Sequence, residues 1–482
     1  METNGHEPHG LNGVAGIPQP DAGAADSRSG GARPAGPKSA GRDCPEYQRV
    51  SAKLQERWPD AQVVPSLERE ELLVDLLGSP HTGYPVIHLT GTNGKSSTTR
   101  AIDALLRACD LRVGRFTSPE FELYERIAID GEQVTTERFA ELFDEVAPYV
   151  DLVDAKVADR LTAFEILTAM AFAAFADAPV DVAVVEVGMG GAWDCTNVVD
   201  GQVAVILPIA LDHQEYLGDR IEDIAQEKAG IIKPGATVLL ARQEPEVDEI
   251  IAGRCAEVGA TLVREGPDIS VLRREPGVGG QRLALRGRGG VYDDIYLPLY
   301  GAHQAQNALL ALAAVESFFG ATRSLDPDLV RAGFAQVSSP GRLERIRSSP
   351  MILLDAAHNP AGMAATVATV REEFAFRRIV AVLGVLADKD ARGIVEQLAP
   401  LVDAVVVTRN SSPRAMPAGE LAAVAAEVLG PERVHARAEL PDAVSSAVTL
   451  VEGDLHGVVG ATGILITGSV VTVADARQLL TD

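Results

Sequence analysis

Residues 90–97, TGTNGKSS, hold the chain's densest set of groups able to bind phosphate. Glycines there let backbone N–H groups approach phosphate oxygens, and a helix starting at the end of the run adds its partial positive charge. Lys95 can reach β- and γ-phosphates, and the hydroxyls of Ser96 and Ser97 suit phosphate or Mg²⁺. The first glycine of the full P-loop pattern would fall at Leu89, so that match is incomplete. Glu186 closes an apolar run and is followed by Gly188, Gly190 and Gly191. An ionised carboxylate there needs a partner, and a hard cation beside nucleotide phosphates would be one. His213 follows the next apolar run, where parallel strands present their C-terminal ends to a ligand; alone, such a histidine is more often structural. Arg342, after Pro340-Gly341, carries a permanent charge on a planar fork suited to phosphate, with a linker salt bridge as the plainer alternative. Lys228, within IEDIAQEKAG, reads on its own as a solvated helix lysine.

These residues need an α/β frame. The runs 84–90 (YPVIHLT), 180–187 (VDVAVVEV) and 202–209 (QVAVILPI) are near-continuous apolar stretches, as in parallel strands covered on both faces. Ile102, Leu105, Leu106 and Cys109 recur at helical spacing after the phosphate loop. Residues 265–300 are rich in Gly and Arg and predict a small β-rich insertion, followed by a helix over 305–319. QVSSPGRLER at 336–345 breaks both helix and strand and predicts a hinge. Beyond it, apolar runs at 351–355, 379–384, 403–408 and 463–467 alternate with helical stretches. The expected fold is therefore α/β: an N-terminal ATPase-type parallel sheet domain with the insertion (43–338), a hinge (339–345) and a C-terminal Rossmann-like domain (346–482). Residues 1–42 hold nine Gly, five Pro and no aromatic residue, and read as a disordered tail.

TGTNGKSS resembles the phosphate loop of the Mur ligase superfamily, whose members use ATP to join a carboxylate to an amine. Further motifs narrow the resemblance to the folylpolyglutamate synthase/dihydrofolate synthase family. They stand in the family's order: Thr117-Ser118-Pro119, EVGMGG at 186–191, DCTN at 194–197, LDH at 211–213, QEKAGIIKPG at 226–235, HQAQNA at 303–308, PGRLE at 340–344, DAAHNP at 355–360, ADKD at 387–390, SPRA at 412–415 and TGS at 467–469. The resemblance implies that Thr92, Asn93, Gly94, Lys95, Ser96 and Ser97 cradle ATP, with Asn307 at the adenine, Asp355 at the ribose and Arg342 at the phosphates. It implies Ser118, Glu186 and His213 as Mg²⁺ ligands, and a carbamylated Lys228 reaching a second Mg²⁺. His358 would lie near the γ-phosphate and the incoming amino acid, with Lys95, Lys228 and His358 forming the catalytic set. Pro119, Arg126, His358 and Ser469 would contact substrate. Glu120, Phe121 and Ala192-Trp193 depart from the His, Leu and Arg-Leu usual in the family, which bears on pterin or chain-length preference more than on reaction type.

The expected activity is ATP-dependent addition of L-glutamate to dihydropteroate and to reduced folates through an acyl phosphate. A cell-wall precursor ligase is the nearest alternative, but residues 43–89 are too few for the UDP-sugar domain such enzymes carry before the loop. A P-loop ATPase switch would explain Lys95 but not DAAHNP, and would hydrolyse ATP without folate or glutamate. A binding module would bind ATP without turnover. Sixty-eight acidic against 43 basic residues give a net charge of −25 and exclude a general nucleic-acid footprint. Four cysteines without a C-x-x-C pair fit a reducing cytoplasm. No apolar run reaches a membrane span. A cleft between domains of one chain needs no second copy, so a monomer is expected.

Overall fold

The computed structural model describes residues 43–57, 65–118, 121–321, 323–453 and 462–481. The expected tail lies outside them. The first sheet comprises β1 (Val86–Thr90), β2 (Val113–Phe116), β3 (Ile127–Ile129), β4 (Glu132–Gln133), β5 (Val182–Glu186), β6 (Gly201–Ile206), β7 (Thr237–Leu240) and β8 (Thr261–Arg264). Its order is β4-β3-β2-β5-β1-β6-β7-β8. From β2 to β8 all neighbours run parallel; β3 and β4 add an antiparallel edge. Both faces are covered. Helices Lys95–Ala108 and Ala302–Phe318 pack on one side with Leu89, Val184 and Val205, and helices Thr136–Asp154 and Ala163–Asp177 lie on the other with Val86, Ala183 and Val185. This two-sided burial explains why these strands read as unbroken apolar runs.

β1 lies between β5 and β6, with Leu89 opposite Glu186 and Thr90 opposite Ile206. The turns leaving these three C-terminal ends are therefore neighbours, although Thr90, Glu186 and Ile206 are far apart in sequence. An open parallel sheet binds ligands at such a point. The insertion is a three-stranded antiparallel sheet of β9 (Ser270–Gly277), β10 (Gly280–Arg286) and β11 (Val291–Leu297), with β10 central. Its buried residues Leu283, Leu285, Tyr292 and Ile295 join the core of helix Ala302–Phe318.

The second large sheet contains β12 (Glu344–Ser348), β13 (Met351–Asp355), β14 (Arg378–Leu383), β15 (Ala404–Val407), β16 (Val434–Ala436) and β17 (Thr462–Thr467), in the order β12-β13-β17-β14-β15-β16. All pairs are parallel except the edge pair β12–β13. Helices Pro360–Glu373, Ala391–Leu398 and Ala418–Leu429 cover one face, and Leu440–Glu452 with Val470–Thr481 the other. Residues 344–345 of the expected hinge already belong to β12. Its charged pattern, ERIRS, suits an edge strand that water can solvate.

Candidate functional site

The phosphate loop leaves β1 and enters helix Lys95–Ala108 through Gly94, whose φ of 90° is left-handed. A Cβ on Gly94 would lie 2.6 Å from Asn307 Oδ1, so the glycine lets the loop pass directly beneath that asparagine. Lys95 Nζ donates to the carbonyls of Gly91 (3.0 Å) and Thr92 (3.4 Å), and Lys228 Nζ donates to Gly91 O from 3.2 Å. Two amines thus converge on one carbonyl. Lys228 is buried, unlike the solvated lysine its helix context suggests. Burial, then the charge of Lys95, lowers its pKa to about 7. Burial also lowers Lys95, against the opposing charges of Glu186, Asp212 and Asp194. Ser96 Oγ donates to Glu186 Oε1 (3.1 Å), which places the β5 carboxylate beside the loop. Thr92 ties the loop to the turn after β6 through Ala210, both contacts 3.0 Å. Ser97 points the other way: its hydroxyl meets Ser339 Oγ at 2.9 Å and accepts from Gln304 Nε2 at 3.3 Å.

The glycine turn after Glu186 is held from three sides. Thr90 Oγ1 donates to Gly190 O (2.7 Å). Glu227 Oε1 accepts the N–H groups of Trp193 (3.0 Å) and Gly191 (3.3 Å). Asp194 accepts from Met189 N (2.9 Å), Thr196 N (3.0 Å) and Thr196 Oγ1 (2.5 Å). Because Thr196 gives its hydroxyl proton to Asp194, its oxygen accepts from His88 Nε2, 2.9 Å away. Burial lowers the His88 pKa to about 3, which keeps the ring neutral. Sequence reasoning assigned no role to His88, Asp194 or Glu227. The signal lay in the DCTN and QEKAGIIKPG motifs, while His88 was hidden in an apolar strand.

The second wall of the cleft comes from beyond the hinge. Asp212, beside His213, receives Lys389 Nζ at 2.6 Å and Asn359 Nδ2 at 3.0 Å, and His358 Nε2 lies 3.6 Å away. Burial alone would raise the Asp212 carboxyl, but His358, His213 and Lys389 hold it well below the usual carboxylate range. Asn359 and Asn93 exchange amide hydrogen bonds at 3.1 and 3.3 Å, joining the phosphate loop to the start of helix Pro360–Glu373. Asp212, Lys389 and Asn359 were not among the expected site residues, although LDH, ADKD and DAAHNP contain them. Their meeting depends on the packing of two domains, which spacing along the chain does not encode. His213 has a left-handed φ of 52° and is partly exposed; burial lowers its pKa to about 4.

Asp355 is buried and braces the hinge, accepting from Leu343 N (3.0 Å), Ala357 N (3.1 Å) and Thr366 Oγ1 (2.6 Å). Arg342 donates to Gly341 O (3.1 Å). Asn307 is buried, and its Nδ2 donates to Gln304 Oε1 (3.1 Å). Ser118 accepts from Arg126 Nη1 (3.1 Å), so these two expected ligands meet each other. Ser469 is buried in a hydroxyl–amide cluster with Asn410 (3.1 Å) and Thr472 (2.8 Å) that starts the last helix. Pro119 and Glu120 lie outside the described residues. Among the described residues, no three His, Cys, Asp or Glu side chains gather closely enough to hold a metal by themselves. A cation at Glu186 would therefore take other oxygens, in keeping with the waters and phosphates that Mg²⁺ retains.

Comparison with known proteins places this geometry among relatives. Residues 89–315 match the Mur ligase middle domain, and residues 341–469 match the Mur ligase glutamate ligase domain. The chain is 51% identical over 453 residues to the dihydrofolate synthase/folylpolyglutamate synthase of Mycobacterium tuberculosis, covering 89% of this chain and 93% of the relative. It is 34% identical to the folylpolyglutamate synthase of Lacticaseibacillus casei, covering 85% and 92%. The solved structure of the Mycobacterium tuberculosis folylpolyglutamate synthase with ADP superposes with a TM-score of 0.87 at 51% identity, covering 91% of this chain and 98% of that one. A solved FPGS–AMPPCP–folate complex gives 0.76 at 31% identity, covering 90% and 100%.

Proposed function

The chain belongs to the Mur ligase family, in its folylpolyglutamate synthase/dihydrofolate synthase group of ATP-dependent ligases, and we propose that it adds L-glutamate to dihydropteroate and to the γ-carboxylate of reduced folates. The observation that carries this reading is the two-walled cleft: Lys95, Lys228 and Glu186 gather at the phosphate loop, and Lys389, His358 and Asn359 meet them through Asp212 and Asn93.

A carboxylate resists attack by an amine because its leaving group would be oxide. Attack of a carboxylate oxygen on the γ-phosphorus of ATP releases ADP and gives an acyl phosphate. The amine of glutamate then adds to the acyl carbon, the C–O bond breaks and inorganic phosphate leaves. Charge spreads over the transferring phosphoryl group in the first step, and preorganised cations lower that barrier. Lys95 is poised for this role, since displacing its two carbonyl contacts frees Nζ for a phosphate at the same loop. Arg342, at the hinge, supplies a second cation. The phosphate loop from Thr92 to Ser96 holds the triphosphate, with Asn307 at the base and Asp355 at the ribose. Asp355 still has acceptor capacity on Oδ2, which meets a single N–H. Ser97, turned toward Ser339, serves better as a brace between loop and hinge than as a phosphate ligand.

Glu186, His213 and Ser118 would hold Mg²⁺, whose charge would neutralise the phosphates. Lys228 suits carbamylation: with a pKa of about 7 its neutral amine can add to CO₂, forming an N–C bond and releasing a proton. Arg126 and Ser118 would face the folate, and His358 the amino acid; Ser469 acts by positioning the last helix. No helix of the described residues is long and apolar enough to cross a membrane, and a monomer in the cytoplasm is the proposed state, open to check by light scattering. The central test measures ATP-dependent incorporation of glutamate into dihydropteroate and, separately, into tetrahydrofolate. Incorporation into both supports the two-substrate reading; ATP hydrolysis independent of folate and glutamate would refute it.

A further inference from the structure

We propose that Arg274 is a positioning residue that clasps the small antiparallel sheet to the C-terminal domain and so sets the angle at which the two walls of the cleft meet. Arg274, on β9, spreads its guanidinium over acceptors from both domains. Nε donates to Gln281 Oε1 at 2.7 Å, Nη1 to Glu372 Oε1 at 2.8 Å, and Nη2 to Glu373 Oε1. Glu373 Oε1 also accepts the N–H of Gly301 at 2.8 Å. Gln281, in turn, donates to the carbonyls of Leu299 and Gly301, both at 2.9 Å. The side chain of Glu373 is 2% exposed and that of Arg274 13%. This is an inward-facing fork, unlike a surface ion pair that water would weaken.

Gln281 and Glu373, both held by Arg274, meet at Gly301, the residue before helix Ala302–Phe318, which carries Gln304 and Asn307. A Cβ on Gly301 would lie 2.6 Å from Thr369 Oγ1, so the helix of the C-terminal domain packs directly on that backbone. The lever is that same helix, Pro360–Glu373. Its C-terminal end is held by Arg274, and its N-terminal end carries Asn359 beside Asn93. At 1.5 Å per residue its 14 residues span roughly 20 Å, so a rotation of about 5° at the clasp displaces the cleft end by about 2 Å. A misplacement of that order is enough to cost a reaction about two powers of ten. The hinge at 339–343 restrains the domains covalently, and Asn93–Asn359 and Asp212–Lys389 restrain them at the cleft; Arg274 supplies a further restraint at the far end of helix Pro360–Glu373.

The proposal rests on the ligase reading only for its kinetic readout. Arg274→Met, Arg274→Lys and Glu373→Gln are compared with the parent in three measurements: steady-state kinetics, small-angle scattering without ligand, and hydrogen exchange at Gly301. Arg274→Met is expected to lower kcat by about tenfold or more, while KM for the folate substrate, bound by the N-terminal wall, stays within about twofold. Its scattering profile should report a wider domain separation, and the Gly301 amide should exchange faster. Glu373→Gln keeps the shared acceptor oxygen but leaves the Arg274 guanidinium without its buried counter-charge, and should move all three readouts from the parent toward Arg274→Met. Arg274→Lys, with one compact ammonium, should fall between. Parent-like kcat and scattering in Arg274→Met would overturn the proposal, as would a lowered melting temperature with an unchanged scattering profile. Should Arg274→Met not fold, Glu372→Ala, at a half-exposed position, gives the milder test, with a smaller shift of the same sign expected and none overturning it. Failure of the parent to ligate glutamate would refute the ligase reading and leave the scattering and exchange arms in force.

Discussion

Two lysines at one carbonyl invite different predictions. Lys95 sits where a phosphate would displace Gly91 O as its partner, so Lys95→Ala should lower both ligation activities by about a thousandfold or more while the fold, read by circular dichroism, is retained. Lys228 differs because its amine is buried and its pKa is lowered to about 7 by burial and by Lys95. Only the neutral amine captures CO₂. Activation of CO₂-depleted enzyme by bicarbonate should therefore be strong at pH 8 and fade as pH drops below 7, with a mass increment on Lys228 that follows the same curve. An unmodified Lys228 in fully active enzyme at pH 8 would remove the carbamate from the mechanism. The linkage has a definite sign. The unfolded chain keeps this amine protonated up to its ordinary value near 10.5, so between pH 7 and that value the unfolded state binds more protons. The contribution of the unmodified amine to stability accordingly rises with pH across that window and stays at its minimum below it. At this scale the sequence was informative about residue types and silent about burial. IEDIAQEKAG reads as a solvated helix, and it is the burial of Lys228 and the reach of its Nζ to Gly91 O, 3.2 Å away, that show the side chain facing inward.

At the scale of elements, β1, β5, β6, β13, β14, β15 and β17 were legible because burial on both faces leaves a continuous apolar run, whereas the short parallel strands β2, β7 and β8 were not, nor were β12 and β16. β12 is a charged edge strand, and β16 is three residues long; neither carries a hydrophobic signature. The turn after β5 shows the converse. Its glycines were visible as a motif, but their purpose is close approach: a Cβ on Gly191 would stand 2.8 Å from Glu227 O. Gly191→Ala should force that turn off the Lys228 helix. Loss of most ligase activity is expected, with weaker carbamylation of Lys228 by mass spectrometry. Nucleotide binding measured by calorimetry should weaken as well, because Thr90 holds Gly190 and Lys228 holds Gly91 of the phosphate loop. Helix Ala163–Asp177 offers a contrasting case of stability without chemistry. Thr162 and Glu165 form a reciprocal capping box, and Glu165 also holds Arg69 at 2.9 Å. Thr162→Ala removes one cap and should cost about 1 kcal/mol in urea unfolding, with kcat unchanged.

The whole molecule brings its charges together at a boundary the sequence does not display. The net charge of −25 says nothing against anionic substrates, because a site can be locally basic, and the cleft concentrates Lys95, Lys228, Lys389 and Arg342. Asp212 is the counter-charge that makes this concentration tolerable without substrate. Its carboxylate and the Lys389 ammonium are each 8% exposed, 2.6 Å apart, and lie on different domains. Removing one member of a buried pair leaves the other uncompensated, at a cost of about 3–5 kcal/mol. Asp212→Asn keeps the shape and removes the charge, so the cost falls on the contact between domains and not on either core, since the apolar clusters of the two sheets are separate. The nucleotide-free variant should therefore melt in two calorimetric transitions where the parent melts in one. A phosphate group is a second anion able to satisfy Lys389 and Lys95 from the same side. A non-hydrolysable ATP analogue should then stabilise Asp212→Asn more than the parent and restore a single transition. A single transition in the nucleotide-free variant, at the parent's temperature, would show that Asp212 does not hold the domains together.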